Sequence, residues 1–532
     1  MLLFVPALVF LTGCDSGGSG GGGNDGIGTG ADAERTEAGN AGETETTVGV
    51  DYNNDGTDEV VRVTDVDGQG IAPDDADDQT VTWTPDKTYE LNGFVFVNPD
   101  ETLIIEPGTE IQGRLGGGSD ASALIVASGG EIQAKGEKDD PIVFTSVRAA
   151  DGSLDSDDRG LWGGVILLGD APTNNATQET NIEGVPDDTG SRIEYGGSDP
   201  NHSVGTFKYV SIRHTGTQLG NGDEIQGLTL GGVGAGSTIE YVESYASADD
   251  GFEWFGGTVN TKYLIAAFVS DDNFDIDQGY RGSNQFWLAV QGDNQAGRAS
   301  EMDGAGDAGS KPIAQSIIAN ATYIGMGPAL TDDEVSGDAN DPFIIHRDDN
   351  ATSYYNSIFT GGRTNAGIQL EDIDGTQDAS DRWDSGTLEH VSNTWYNIGP
   401  DYSGASSPTD SDFEQLVQVT RNNENNNNAT GDRGEDLIAD LASYMNDNNH
   451  QLATSAPLVD ITRDGNGEIQ SFNPSTAGTV DGASTVSDFG AESSGVNDNP
   501  VSVNERGAFA SNANWNLDGW TKIVAQGELT GQ

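Results

Sequence analysis

From Gly227 onward the chain repeats itself three times at a spacing of about 23 residues. Written as three lines, the stretch runs GLTLGGVGAGSTIEYVESYASADD, GFEWFGGTVNTKYLIAAFVSDDN and FDIDQGYRGSNQFWLAVQGDN. Each line has a short apolar or aromatic run and then a Gly-rich corner. A second run follows (Ile239–Val242, Tyr263–Ile265, Phe286–Val290), and then an acidic corner. Strands this short cannot bury both faces alone. Stacking coils gives each strand a neighbour above and below, and the chain becomes one long core. The predicted fold is therefore all-β: a right-handed parallel β-helix. The 75 glycines fit it, since coil corners need backbone with φ > 0.

The 88 acidic residues against 23 basic leave a net charge of −65. That balance excludes nucleic acid and anionic membrane surfaces as main partners, because both repel such a chain. Two compatible readings remain. A hydrated carboxylate surface suits a halophilic, high-salt habitat, and Asp-rich turns suit calcium. Cys14 is the only cysteine, so no disulfide can form within the chain.

The ends are organised differently from the repeats. Residues 1–13 read MLLFVPALVFLTG, too short to span a bilayer and patterned like the apolar part of a signal peptide, although no Lys or Arg precedes it. Leu11-Thr12-Gly13-Cys14 resembles the lipobox of bacterial lipoproteins, which implies lipidation at Cys14. Residues 15–48 are rich in Gly, Ser, Asp, Glu and Thr and read as a flexible tether. Residues 49–80 form an acidic, turn-rich segment. In it Asp51, Asn53, Asp55 and Glu59 follow D-x-N-x-D-G-x-x-E, the alternating oxygen pattern of a calcium loop, with Arg62 where an EF-hand would have Glu. The same residues would also serve as a hairpin turn between Thr47–Val50 and Val60–Val63.

Coils are expected over residues 81–400. VTWTPDKTYELNGFVFVNPDETLIIEPGTEIQG alternates at period 2, with Pro and Gly at its breaks. Thr102–Ile105, Ala123–Val126 and Ile142–Phe144 follow at coil spacing. Asp293–Lys311 reads as a loop leaving the stack. Ile313–Ala319, Pro342–Ile345, Tyr354–Phe359, Ile368–Leu370 and Thr387–Trp395 read as later coils. In residues 401–532 we expect late coils, an Asn-rich loop at Asn422–Ala429 and a helix within Gly434–Asn446. Leu437, Ile438, Leu441 and Met445 of that helix share one face. A final segment through Trp515 and Trp520 should fold back as a cap, because an open solenoid end invites edge pairing.

Several phrases carry a resemblance: Thr102–Gly113, Ala123–Gly136, Asp140–Ser146, Leu161–Gly169, Ile193–Gly197, Tyr209–His214, Asp249–Thr258 and Arg506–Phe509. In this order they resemble a group of secreted bacterial β-helix lipoproteins of the cell envelope. The resemblance implies the fold and an outer location, lipid-anchored at the outer membrane or cell surface, and no particular reaction.

Chemistry concentrates at the acidic corners. Asp249 and Asp250 precede one coil, Asp271 and Asp272 the next, with Asp275 and Asp277 close behind. Matching positions on successive coils lie about 4.8 Å apart. Carboxylates at that spacing repel unless hydrated, protonated or bridged by a cation, so the strip suits solvated turn Asp or Ca²⁺. Asp249, Asp250, Asp271 and Asp272 are also candidate catalytic residues, since paired carboxylates hydrolyse glycosides and pectin-degrading enzymes of this fold use Asp clusters in such places. Arg281 would then be the basic partner. His202, His214 and His346 lack metal-ligand spacing, and His214 reads as a satisfied polar residue on the outer face. Trp254, Phe255, Tyr280, Phe286 and Trp287 suit either a sugar-stacking groove or core ladders. The expected role is a monomeric, calcium-stabilised surface protein that is structural, adhesive or glycan-binding. The alternative is a polysaccharide lyase or glycoside hydrolase.

Overall fold

A computed structural model describes residues 59–525 and the short strands at 37–38 and 45–48, leaving aside stretches of which the longest are 331–341, 421–435 and 477–502. The lipobox with Cys14, the Asn tract and Trp515 lie outside the described residues. The described chain is a parallel β-helix with three sheet faces.

One face is a ladder of ten parallel strands, from Phe94–Val97 through Ala123–Val126, Val165–Leu168, Leu228–Gly231, Phe252–Phe255, Phe274–Asp277, Ser300–Met302, Ile344–His346 and Ile368–Glu371 to Val417–Thr420. The other two faces meet at a sharp corner. In Gly205–Arg213, Thr238–Tyr245 and Thr261–Ala267 one continuous strand turns that corner. Successive strands of the ten-strand face start at 228, 252, 274 and 300, then at 344 and 368. The repeat of about 23 residues therefore holds for runs of coils, and insertions at the corners break it elsewhere.

The corner has a physical signature. Tyr209, Tyr241, Tyr263, Phe286, Asn320, Asn356, Ser392 and Asn449 all have φ between 50 and 62°. Strand register places them one above another. Left-handed backbone is costly for a bulky residue, and stacking offsets it. The rings of Tyr209, Tyr241, Tyr263 and Phe286 lie 4.4, 4.3 and 5.1 Å apart in succession. Farther along, asparagines, which tolerate this conformation, take over.

Trp254, Phe255, Tyr280, Phe286 and Trp287 are all buried, which rules out the sugar-stacking groove and leaves the core ladders. Trp287 stacks on Phe274 at 4.4 Å and on Trp254 at 5.0 Å. Its indole N–H donates to Thr261 Oγ1 at 3.0 Å. Alternation points Phe252 and Trp254 inward and Glu253 and Phe255 outward, and Phe255 is covered from outside by Tyr195.

Several boundaries differ from the sequence-based expectation. Glu45–Val48, expected in the tether, pairs antiparallel with Glu59–Val63. Glu59–Val63 in turn pairs parallel with Lys87–Leu91 and opens the stack ahead of residue 81. Asp51, Asn53 and Asp55 lie outside the described residues, and of Glu59 only the backbone is placed. Ser300–Met302 sits inside the stretch expected to leave the stack, yet it is a full rung. A three-residue strand has too little periodicity to stand out from an Asp/Gly-rich flank. The late coils expected beyond residue 400 are present at Val417–Thr420 and Gln451–Leu452. The helix Leu437–Asp447 buries Leu437, Leu441 and Met445 against the last coil and closes that end.

The C-terminal segment runs back along the outside of the corner ladder rather than capping an end. Arg506 donates to the carbonyls of Asn393 and Asn449 (3.0 and 2.8 Å), and Gly507 N to Asn356 O (2.8 Å). Trp520 packs edge-on against Tyr209 and Tyr241. The strap ends on the buried Glu243 carboxylate, which accepts from Lys522 N at 2.7 Å and Ile523 N at 3.1 Å. Hydrogen bonds to a buried charge are strong, so Glu243→Ala should cost about 3 kcal/mol and free the strap. Limited proteolysis should then cut after Phe509 faster than in wild type; unchanged cleavage would refute the anchor.

Candidate cation site on the ten-strand face

Three outward residues on successive strands form a row. Glu253 pairs in register with Asp275, and Asp275 with Glu301. Thr229 precedes the row and Ile345 follows it. The corner that enters these strands adds a second line, because Gly251 N donates to Asp272 O and Asn273 N to Arg298 O. Asp250, Asp272 and Arg298 thus stand on successive coils, and Asp272 N donates to Asp250 Oδ1 at 2.9 Å. Glu253 is flanked by inward Phe252 and Trp254, Asp275 by Phe274 and Ile276, and Glu301 by Ser300 and Met302, all buried, so the β-helix itself sets the spacing.

Two groups of carboxylates result. Oxygens of Asp249, Asp250 and Asp271 lie within 4.8 Å of one another, as do those of Asp250, Glu253 and Asp275. Asp250 belongs to both. Asp250 and Glu253 are 8% and 6% exposed, while Asp249 and Asp271 are half-buried and form the open side. Burial, with the neighbouring acids Glu224, Asp271 and Glu183, raises the Asp249 carboxyl to about 8. Burial first, and then repulsion from neighbouring acids (Asp249 and Asp275 for Asp250, Asp275 for Glu253, Glu301 and Asp303 for Asp275), pushes all three well above the usual carboxylate range. Glu253 Oε2 and Asp275 Oδ1 are buried with no hydrogen-bond partner. Acceptor oxygens left over in this way fit a hard cation that takes oxygen ligands.

Asp272, expected with the other three aspartates, turns the other way. It takes hydrogen bonds from Arg298 N and, at 3.3 Å, Arg298 Nη1. Burial raises its pKa well above normal, helped by Glu301. Burial also pushes Glu301 up, but the hydrogen bond from the Asp272 carboxyl and the charges of Arg298 and Arg347 outweigh it and bring it below normal. Arg298 Nη1 lies 2.9 Å from Glu301, and Arg347 Nη2 2.7 Å. Arg347 also holds Asp303. Arg281, the expected basic partner, follows the strand at its other end, where its N–H donates to Gly257 O. Asp277 is one outward step beyond Asp275 and accepts from Gln278 N.

Glu253, Glu301, Arg298 and Arg347 were not anticipated. Glu253 could have been found, since it is the one acid in an otherwise aromatic strand. The others required the register. His214 is buried and its Nδ1 lies 2.6 Å from Asp158 O, with its pKa lowered to about 4 mainly by burial. His202 is half-buried. His346 lies inside the core rather than on a surface.

Fold and site together define a parallel β-helix with an acidic, cation-compatible face. Residues 75–440 match the pectate-lyase-like β-helix domain family, and the chain belongs to it. No curated protein and no solved structure matches the chain.

Proposed function

We propose that this is a lipid-anchored β-helix of the cell envelope, with a non-catalytic structural, adhesive or glycan-binding role, stabilised by calcium on its acidic face. The observation that carries it is the convergence of five carboxylates on two consecutive coils, with Asp250 and Glu253 buried and Asp249, Asp271 and Asp275 half-buried. Each of the two groups would hold one cation, with Asp250 shared. Two divalent ions bring this set close to neutral, whereas one would leave a large buried negative charge. The ions would staple coil to coil. The nearly closed geometry favours an ion over a sugar chain.

The experiment counts calcium on the purified protein by equilibrium dialysis. Wild type should hold two ions at these groups, Glu253→Gln one, and Asp250→Asn none. An unchanged count in Asp250→Asn would sink the assignment. A second reading, lyase or glycoside hydrolase, is favoured by the Asp272–Glu301 pair flanked by Arg298 and Arg347, which offers a proton donor, a carboxylate and a positive charge together. Turnover on a panel of acidic and neutral glycans, lost in Asp272→Asn, would establish it against the non-catalytic role.

A further inference from the structure

Three histidines form a hydrogen-bonded chain inside the later coils, beginning two rungs beyond Asp275 on the ten-strand face. His346, His390 and His450 are buried, at 0, 0 and 5% exposure. His346 Nε2 lies 3.0 Å from His390 Nε2, and His450 Nε2 lies 2.8 Å from His390 O.

The partners determine every proton. Asn350 Oδ1 accepts from Thr352 N at 2.8 Å, so the atom facing His346 Nδ1 at 3.1 Å is an oxygen, and His346 Nδ1 carries hydrogen. Neutral His346 then accepts at Nε2, and His390 donates from its Nε2. That leaves His390 Nδ1 as a bare lone pair, buried and with no hydrogen-bond partner. At the other end the Trp395 indole N–H donates to His450 Nδ1 at 3.1 Å, so His450 donates from Nε2. All three rings are neutral, and the arrangement has no acceptor for a further N–H.

The surroundings do not help a positive charge. Tyr354 lies beside His390 and His346, Trp383 beside His390, and Phe413 beside His450. The ionisable groups facing the chain are Tyr354, Tyr444 of the closing helix, and Arg506 of the strap, whose charge acts against protonation of His450. Among the described residues no carboxylate bonds to any of the three. Burial lowers His346 and His450 to about 4, and it holds His390 well below the ordinary imidazole value. The chain ties together three elements: strand Ile344–His346 of the ten-strand face, strand His390–Val391, and the turn before Gln451–Leu452. The strap docks there too, through Arg506 on Asn393 O and Asn449 O.

We infer that this histidine chain is an acid-sensitive latch: proton uptake opens the last coils and releases the C-terminal strap. The sign follows from linkage. The unfolded histidines titrate near 6.5 and the folded ones lower, so the open state binds more protons below about pH 6.5. Stability contributed by the neutral rings is complete above that value and is lost as pH falls toward 4. Each histidine favours opening about tenfold per pH unit in that window.

Hydrogen–deuterium exchange on the full chain tests it, read as protection factors at pH 7.5 and 5.5. Strands His390–Val391, Thr394–Tyr396 and Gln451–Leu452 should lose protection about a thousandfold, together with the strap at residues 505–509. Strands Phe252–Phe255 and Phe274–Asp277 should keep theirs. His450→Gln should reduce the loss to about a hundredfold. His346→Gln with His390→Gln should reduce it to about tenfold, and if that double variant does not fold, His450→Gln alone decides. Equal protection at both pH values, an unchanged loss in His450→Gln, or an equal loss in the middle coils would overturn the latch.

Discussion

Trp287→Ala should lower the free energy of unfolding by about 4 kcal/mol, in the range for emptying a core site of a large aromatic. The indole is fully buried between Phe274 and Trp254. Its removal opens a cavity that stacked rungs cannot collapse to fill, because ladder hydrogen bonds hold their spacing. It also strips Thr261 Oγ1 of its donor. Trp287→Phe keeps most of the stack and should cost less than half as much. Because each coil leans mainly on its neighbours, the damage should spread from the central coils rather than remain at one residue. Denaturant titration followed by circular dichroism checks both variants. Equal midpoints for wild type and Trp287→Ala would contradict the ladder as the main support of these coils.

In chelator the central coils should lose stability as pH rises from 5 to 7.5. Carboxyls whose folded pKa is raised contribute stability that is complete below their unfolded value, near 4, and is lost as pH climbs through the folded one. For Asp249 that upper limit is about 8, and Asp250, Glu253 and Asp275 shift in the same direction. Each such group costs about 1.4 kcal/mol per pH unit inside its window, or about 3.5 kcal/mol for one group that titrates across the whole span. Calcium replaces the protons and should remove the loss, most visibly at pH 7.5. Exchange protection of Phe252–Phe255 and Phe274–Asp277, measured with and without calcium at the two pH values, reads this out. A pH-independent difference between the two conditions would mean that the acids are not neutralised in the way their burial requires. The histidine latch responds oppositely and on coils that begin two rungs beyond Asp275, so the two can be separated in one data set.

The solenoid was legible in the sequence because its determinants are local. Alternation in FEWF and FDID, glycine at corners and repetition at coil spacing each act within a few residues. The aspartate pairs at 249–250 and 271–272 were legible for the same reason. Ser300–Met302 was not, since three residues carry no period, and with it Glu301 and Arg298 stayed hidden. The left-handed corner was also not legible. Nothing in a tyrosine or phenylalanine announces positive φ, which is tolerated at these positions because the ring above and the ring below hold it.

The amino-acid sequence by itself determined the coiled, parallel architecture and the acidic character of the face, because both follow from residue order within single coils. Register was decided only in three dimensions. It chose which acids meet around Asp250, sent Asp272 to Arg298, and stacked Trp287 on Phe274 and Trp254. It also joined His346, His390 and His450 across more than a hundred residues of chain. Those contacts run between coils separated by insertions of unequal length, and only the closed ladder of hydrogen bonds specifies which residue lies over which.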